Sequence, residues 1–128
     1  MTEAQEQTVL FEWARMMQGK YPELALLHAI PNGGSRHPVE AKNLKAQGVK
    51  AGIPDMFLPV ARQGYHGLYI ELKRQKGGRV SAEQKKMLEA LRAQGYKAVV
   101  CEGWQNAMNE IVDYLKTVGE KVEGVLPI

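Results

Sequence analysis

Asp55, in Ile53-Pro54-Asp55, and the tripeptide Glu71-Leu72-Lys73 bring together two carboxylates and one ammonium. That is the minimum set for holding a divalent cation and cleaving a phosphodiester beside it. Side chains alternate along a strand, so on a strand Glu71 and Lys73 share a face and Leu72 points to the other, leaving its carbonyl beside Glu71. If the chain turns around Gln63 and Gly64, residues facing each other have numbers that sum to about 126 to 128, which sets Asp55 across from Glu71 or Lys73. Two carboxylates from adjacent strands, the Leu72 carbonyl and water make a hard, all-oxygen donor set. It suits Mg²⁺ or Mn²⁺ and not zinc, which prefers nitrogen and sulfur. A phosphate oxygen would complete the shell, and Lys73 would position or polarise the attacking water while shielding the phosphate. The plainer reading of Glu-x-Lys is an exposed polar strand, and of Pro54-Asp55 a turn. The hairpin arithmetic that joins the two motifs argues against it.

These residues need elements to position them. Val9, Leu10, Trp13, Met16 and Met17 recur at helical spacing over 3–18, with Gly19 and Pro22 closing the segment. The apolar run 24–30, ended by Pro31-Asn32-Gly33-Gly34, reads as a buried strand entering a loop. Pro38 and Gly48 bound a short polar helix over 37–47. Strands follow at 55–61 and 68–74, joined by a loop of hairpin length and expected to pair antiparallel. Ser81-Ala82-Glu83-Gln84 fits a capping box, after which Met87, Leu88 and Leu91 give a helix its apolar stripe up to Gly95. A strand over 96–101 and a helix over 104–118 complete the series. The order α-β-α-β-β-α-β-α implies an α/β fold, a mixed sheet with helices on both faces, in one domain over 1–118 with a tail at 119–128. Gln84 has two readings that stay open: it closes the capping box on Ser81, and it shares the helix face turned toward the strand of Glu71.

The 128 residues, 45% hydrophobic and 24% charged, are enough for one real core. The single cysteine, Cys101, rules out an intrachain disulfide and reads as a core residue in a reducing compartment. No apolar run approaches the ~20 residues of a membrane span, and the acidic, Gln-rich start does not read as a signal peptide. The expected setting is therefore cytoplasmic, with no membrane partner. A formal charge of +3 and a pI near 9.0 favour a polyanionic partner without specifying one. No loop combines glycines with the Lys and Ser/Thr of a phosphate loop, and Gly-x-Gly-x-x-Gly is absent, so no nucleotide cofactor is expected.

Gly48-Val49-Lys50-Ala51-Gly52-Ile53-Pro54-Asp55, Gly67-Leu68-Tyr69-Ile70-Glu71-Leu72-Lys73 and Gly78-Arg79-Val80-Ser81-Ala82-Glu83-Gln84, with Ala29-Ile30-Pro31-Asn32-Gly33-Gly34 and Gly95-Tyr96, together resemble the virus-type replication-repair nuclease domain, VRR-NUC, of the PD-(D/E)XK superfamily. The resemblance covers about residues 3–115, and its specificity lies in the combination of motifs. It implies a restriction-endonuclease-like core with Asp55 and Glu71 as metal ligands, the Leu72 carbonyl as a third, Lys73 as the catalytic lysine and Gln84 completing the site. It also implies an acid on the first helix, Glu3 or Glu6. Glu3 is preferred, because Glu3 and Gln7 lie four apart on one helix face. The same resemblance implies a homodimer acting on branched DNA such as Holliday junctions, in a bacterial cell, with a phage or bacterial origin.

Contacts to DNA are expected from Asn32, Ser35 and Arg36 in the Gly-rich loop, and from Lys45, Lys50, Arg74, Lys76 and Arg79 around the site, acting on phosphates. Two other readings compete. A His-Asn-His nuclease built on His28, Asn32 and His37 fits poorly, since His28 falls in an apolar run where a core histidine is the more frequent occupant. A non-catalytic nucleic-acid-binding module gains nothing from two carboxylates aimed at phosphate.

Overall fold

A computed structural model describes residues 1–31 and 37–125, with side chains described as far as Lys116. Helix α1, Glu3–Met16, begins with a capping box in which the Thr2 hydroxyl accepts the Gln5 N–H and the Gln5 side chain accepts the Thr2 N–H. Its buried residues, Glu6, Leu10 and Ala14, stand four apart on one stripe. The expected strand over 24–30 is mostly something else. Pro22 starts a 3₁₀ turn, Pro22–Leu26, and only His28–Ala29 forms strand β1. Proline presets the φ of a first helical turn, and one Leu in this stretch, Leu24, already reaches the core from there. His28 is not a core histidine either: it is exposed, with its Nδ1 against the Leu26 carbonyl at 2.9 Å.

Helix α2, Pro38–Ala46, buries no residue, as its polar sequence suggests. Strands β2, Met56–Leu58, and β3, Leu68–Lys73, form the expected antiparallel hairpin, with Met56 facing Ile70 and Leu58 facing Leu68. The tip is a two-residue turn at Gln63 and Gly64, whose φ values of 55° and 85° explain the glycine. Gln63 donates to the carbonyls of Asp113 and Tyr114, and the fully buried Tyr114 donates its hydroxyl to the Val60 carbonyl at 2.7 Å. Asp113 and Tyr114 belong to helix α4, Trp104–Val125, which therefore fixes the far end of the hairpin. That helix continues past residue 118, where the sequence had suggested a tail.

From β3 the chain crosses through helix α3, Ala82–Ala93, to strand β4, Lys97–Glu102, which pairs parallel to β3. The sheet order is β1-β2-β3-β4. One sheet face carries Met56, Leu58, Leu68, Ile70 and Leu72, which join Leu10 of α1 and Ala107, Ile111 and Tyr114 of α4 in a single core. Each such large side chain contributes about 1.5–3 kcal/mol on burial. Cys101 is part of this core, and burial pushes its thiol up to about 12, so it has little thiolate character. The opposite face carries Glu71 and Lys73, with Phe57 stacked on Tyr69 further along the same strands at 4.2 Å. Among the described residues no helix is long and apolar enough to cross a membrane.

Candidate active site

Gly48 and Gly52, both at positive φ, bring the chain out of α2 and around to Asp55. Asp55 stands one residue ahead of β2, so the pairing of Met56 with Ile70 sets it beside Glu71. Its backbone carbonyl accepts the Ile30 N–H at 2.8 Å, and its Oδ2 accepts the Leu72 N–H at 2.6 Å. The second bond crosses from one strand to the next and locks the carboxylate against the strand that bears Glu71. Of the two registers left open by the sequence, the observed one pairs Asp55 with Glu71.

Glu71 and Lys73 are both buried, with side chains only 2% and 8% exposed, and Lys73 Nζ lies 3.4 Å from Glu71 Oε2. Two charged groups so deep in a protein need partners to remain there. Gln84 supplies them: its Oε1 accepts from Lys73 Nζ at 3.2 Å and its Nε2 donates to Glu71 Oε2 at 3.1 Å. The same Oε1 accepts the Ser81 N–H at 2.8 Å, while the Gln84 N–H donates to Ser81 Oγ at 3.1 Å. The two roles the sequence left open for Gln84 are both filled. Gly78 presses on the lysine stem from the other side, since a Cβ there would lie 2.9 Å from Lys73 Cβ.

One buried oxygen stands out. Glu71 Oε1 has no hydrogen-bond donor among the described residues, and the Glu71 carboxyl lies next to that of Asp55. Burial, and then the Asp55 charge, push the Glu71 carboxyl from its usual 4.5 up to about 8, with Lys73 pulling it back. An orphaned carboxylate oxygen beside a second carboxylate, with every donor oxygen hard, fits a small divalent cation. Glu71 also sets the acid-base behaviour of the metal-free protein. Between about pH 4.5 and 8 the folded chain keeps a proton that the unfolded chain has lost, so stability is full below this window and falls as pH rises through it. Thermal melts in EDTA are expected to drop across that range, with a limiting slope of about 1.4 kcal/mol per pH unit. Glu71→Gln should flatten the profile; a slope unchanged by that substitution would contradict the arrangement.

The acid of the first helix differs from expectation. Glu3, preferred on its spacing with Gln7, is exposed in the first turn of α1. Glu6 is the one folded in, only 1% exposed, and its Oε1 accepts the Trp104 N–H at 3.0 Å. Gly103 has no side chain to cap α4, and Glu6 does so from another helix, where the helix dipole favours a carboxylate. Neither acid joins Asp55 and Glu71: among the described residues no three His, Cys, Asp or Glu side chains gather closely enough to share an ion. The sequence could not choose between them, since Glu3, seven residues before Leu10, and Glu6, four before it, share the face of Leu10 and Ala14.

The domain family called VRR-NUC domain has a profile that matches residues 1–105, which includes both carboxylates, Lys73 and Gln84. A solved structure described as a VRR_NUC domain protein superimposes with a TM-score of 0.77 at 36% identity, covering 91% of this chain and 89% of that one. The chain belongs to the VRR-NUC family. No curated protein matches it. As a VRR-NUC domain it is nuclease-like, and its mixed four-stranded sheet with flanking helices is the restriction-endonuclease-like fold.

Around the site of this VRR-NUC domain, Arg74, Lys76 and Arg79 are exposed on the turn between β3 and α3, with Arg74 Nη2 donating to the Gly77 carbonyl at 3.2 Å. Lys45 and Lys50 line an open groove of about 590 Å³ between α2 and the start of α3, together with Lys42, which was not among the residues expected to meet phosphate. Glu83 closes the groove next to Gln84. Asn32, Ser35 and Arg36 lie outside the described residues.

Proposed function

We propose that this VRR-NUC domain is a Mg²⁺- or Mn²⁺-dependent DNA endonuclease that hydrolyses phosphodiester bonds in branched DNA such as Holliday junctions, acting as a homodimer in the cytoplasm of a bacterial cell. The observation that carries the catalytic reading is the bond from the Leu72 N–H to Asp55, which fixes the two carboxylates side by side on the face that also presents Lys73. Asp55, Glu71 and the Leu72 carbonyl are the residues to hold the cation; Glu3 and Glu6 are not among them. When bound there, the metal supplies a Lewis acid that offsets charge building on the phosphate and lowers the pKa of a coordinated water.

The chain's own residues do the rest. Lys73, held between Gln84 and Gly78, directs its ammonium at the scissile phosphate and orients the attacking water, whose oxygen forms the new bond to phosphorus and gives up a proton to solvent, as one ester P–O bond breaks and the departing oxygen takes a proton from solvent. Glu71, once its carboxyl is ionised beside the cation, accepts the Gln84 amide and keeps that lysine aimed. The lysines of the groove neutralise backbone phosphates leading to the site. A pure binding module has no use for a buried Glu71 and Lys73, whose desolvation is costly unless chemistry needs it.

The test is incubation of the purified protein with four-way junction, flap and linear duplex DNA in Mg²⁺, in Mn²⁺ and in EDTA. Metal-dependent cutting of the junction supports the reading. Binding without cutting under every metal condition favours the non-catalytic module. For the groove, the double variant Lys45→Ala and Lys50→Ala should weaken DNA binding evenly across sequences. Its log affinity should fall less steeply with log salt, by about two units of slope for two lost phosphate contacts. An unchanged slope would place the DNA elsewhere.

A further inference from the structure

The carboxamide of Gln84 reads alike to a packing force whichever way round it sits, since oxygen and nitrogen are nearly the same size. Its chemistry is opposite in the two orientations. In one, the oxygen meets the Lys73 ammonium and the nitrogen meets Glu71; in the other, donor faces donor and acceptor faces acceptor. The chain contains one further group that takes sides. Ser81 N–H donates to Gln84 Oε1 at 2.8 Å, shorter than the 3.2 Å contact from Lys73 itself, and this donor is backbone and does not titrate.

We propose that Ser81 is a positioning residue of the site: by capping α3 it fixes the Gln84 carboxamide with its oxygen on Lys73 and its nitrogen on Glu71. Ser81 lies at φ −73° and ψ 165°, and its hydroxyl accepts the Gln84 N–H at 3.1 Å, so backbone and side chain of Gln84 are tied to the same residue. The side chain therefore leaves the helix in one direction only. The first turn of α3 is also pinned from below. A Cβ on Gly52, at φ +83°, would come within 2.9 Å of the Glu83 carbonyl oxygen, so the helix start rests directly on the turn that leads to Asp55. The capping box thus does more than stabilise a helix. It sets where the Lys73 ammonium and the Glu71 carboxylate point, from a residue that touches neither.

The inference rests on the nuclease reading for its effect on rate, but its geometric content is independent of it. The experiment compares wild type with Ser81→Pro, which suits the φ of −73° but has no N–H for Gln84 Oε1, and with Ser81→Ala, which loses the hydroxyl and keeps that N–H, well below their melting temperatures, on two readouts. The first is metal-dependent cleavage of junction DNA. Ser81→Pro is expected to lower kcat by about tenfold or more, in the range for residues that orient others, with KM for DNA within about twofold, and Ser81→Ala to lose less than about threefold. The second needs no DNA: the side-chain amide resonances of Gln84. In wild type and Ser81→Ala their shifts should stand away from those of a free glutamine and their protons should exchange slowly; in Ser81→Pro both should move toward the free values. A kcat in Ser81→Pro equal to wild type, or an equal loss in Ser81→Ala, would reduce the cap to a structural role and overturn the proposal. So would Gln84 amide signals unaffected by Ser81→Pro, even in a protein that cleaves none of these DNAs; in that event the nuclease reading fails separately.

Discussion

Asp55→Asn is expected to abolish cleavage while making the metal-free protein more stable. The carboxamide keeps an oxygen for the Leu72 N–H, so the strand contact survives, but the negative charge beside Glu71 is gone. Without it the Glu71 carboxyl loses the second largest cause of its upward shift, and its pKa moves back down. Loss of one charged ligand from a two-carboxylate site should cost at least about a hundredfold in rate. The measurements are junction cleavage in Mg²⁺ and thermal melts in EDTA at about pH 9, where Glu71 is mostly ionised and the like-charge contact is strong. Activity near wild type would remove Asp55 from the chemistry; a lower melting temperature would show that its charge is compensated by something other than Lys73.

Lys73→Met should be equally inactive and should move stability the other way. Methionine fills much the same space beneath Gly78, but the cation 3.4 Å from Glu71 disappears. Gln84 Oε1 keeps the Ser81 N–H, so no buried acceptor is newly orphaned. The lost ammonium is expected to lower the rate about 10²- to 10³-fold, as for other preorganised groups facing developing charge. Lys73 lowers the Glu71 pKa, so its removal raises that value further and leaves the carboxyl protonated over a wider range. The stability deficit is therefore small at pH 6 and grows as pH rises through 8, where the unfolded chain is ionised and the folded one resists it. Melts of Lys73→Met and wild type that run parallel from pH 6 to 9 would contradict this. The pair of variants separates catalysis from stability, because the two should agree on the first and disagree on the second.

The parts of this site visible in the sequence are those fixed by local rules. The hairpin was readable because Gln63-Gly64 demands a tight turn, and strand alternation then carried Asp55 to Glu71 through the observed pairing of Met56 with Ile70. Ser81 and Gln84 were readable as a capping box for the same reason. Tertiary roles were not. Nothing local says that the Gln84 amide reaches across to Lys73 while closing its own helix, or that Glu6 caps a helix 98 residues away in sequence. Apolar content misled at 24–30, because a run of Leu and Ala gives a strand and a 3₁₀ turn the same hydrophobicity, and Pro22 decided between them. The preference for Glu3 followed helical spacing to Gln7, but Glu3 and Glu6 share one helix face, and only the start of α4, whose Trp104 N–H meets Glu6, decides between them.

The position of the two carboxylates on a single hairpin has a consequence in time. A β-hairpin closes in about 1–10 μs, whereas a parallel pair such as β3 and β4 must wait for its crossover helix to form and dock. Asp55 and Glu71 are therefore expected to meet early in folding, before α3 delivers the Gln84 amide that steadies Lys73. During that interval the nascent hairpin holds its repelling charges in the presence of solvent, which weakens the repulsion, and the sheet is covered only afterwards. The order of assembly lets the protein bring together two like charges whose meeting would be far harder inside a core already closed.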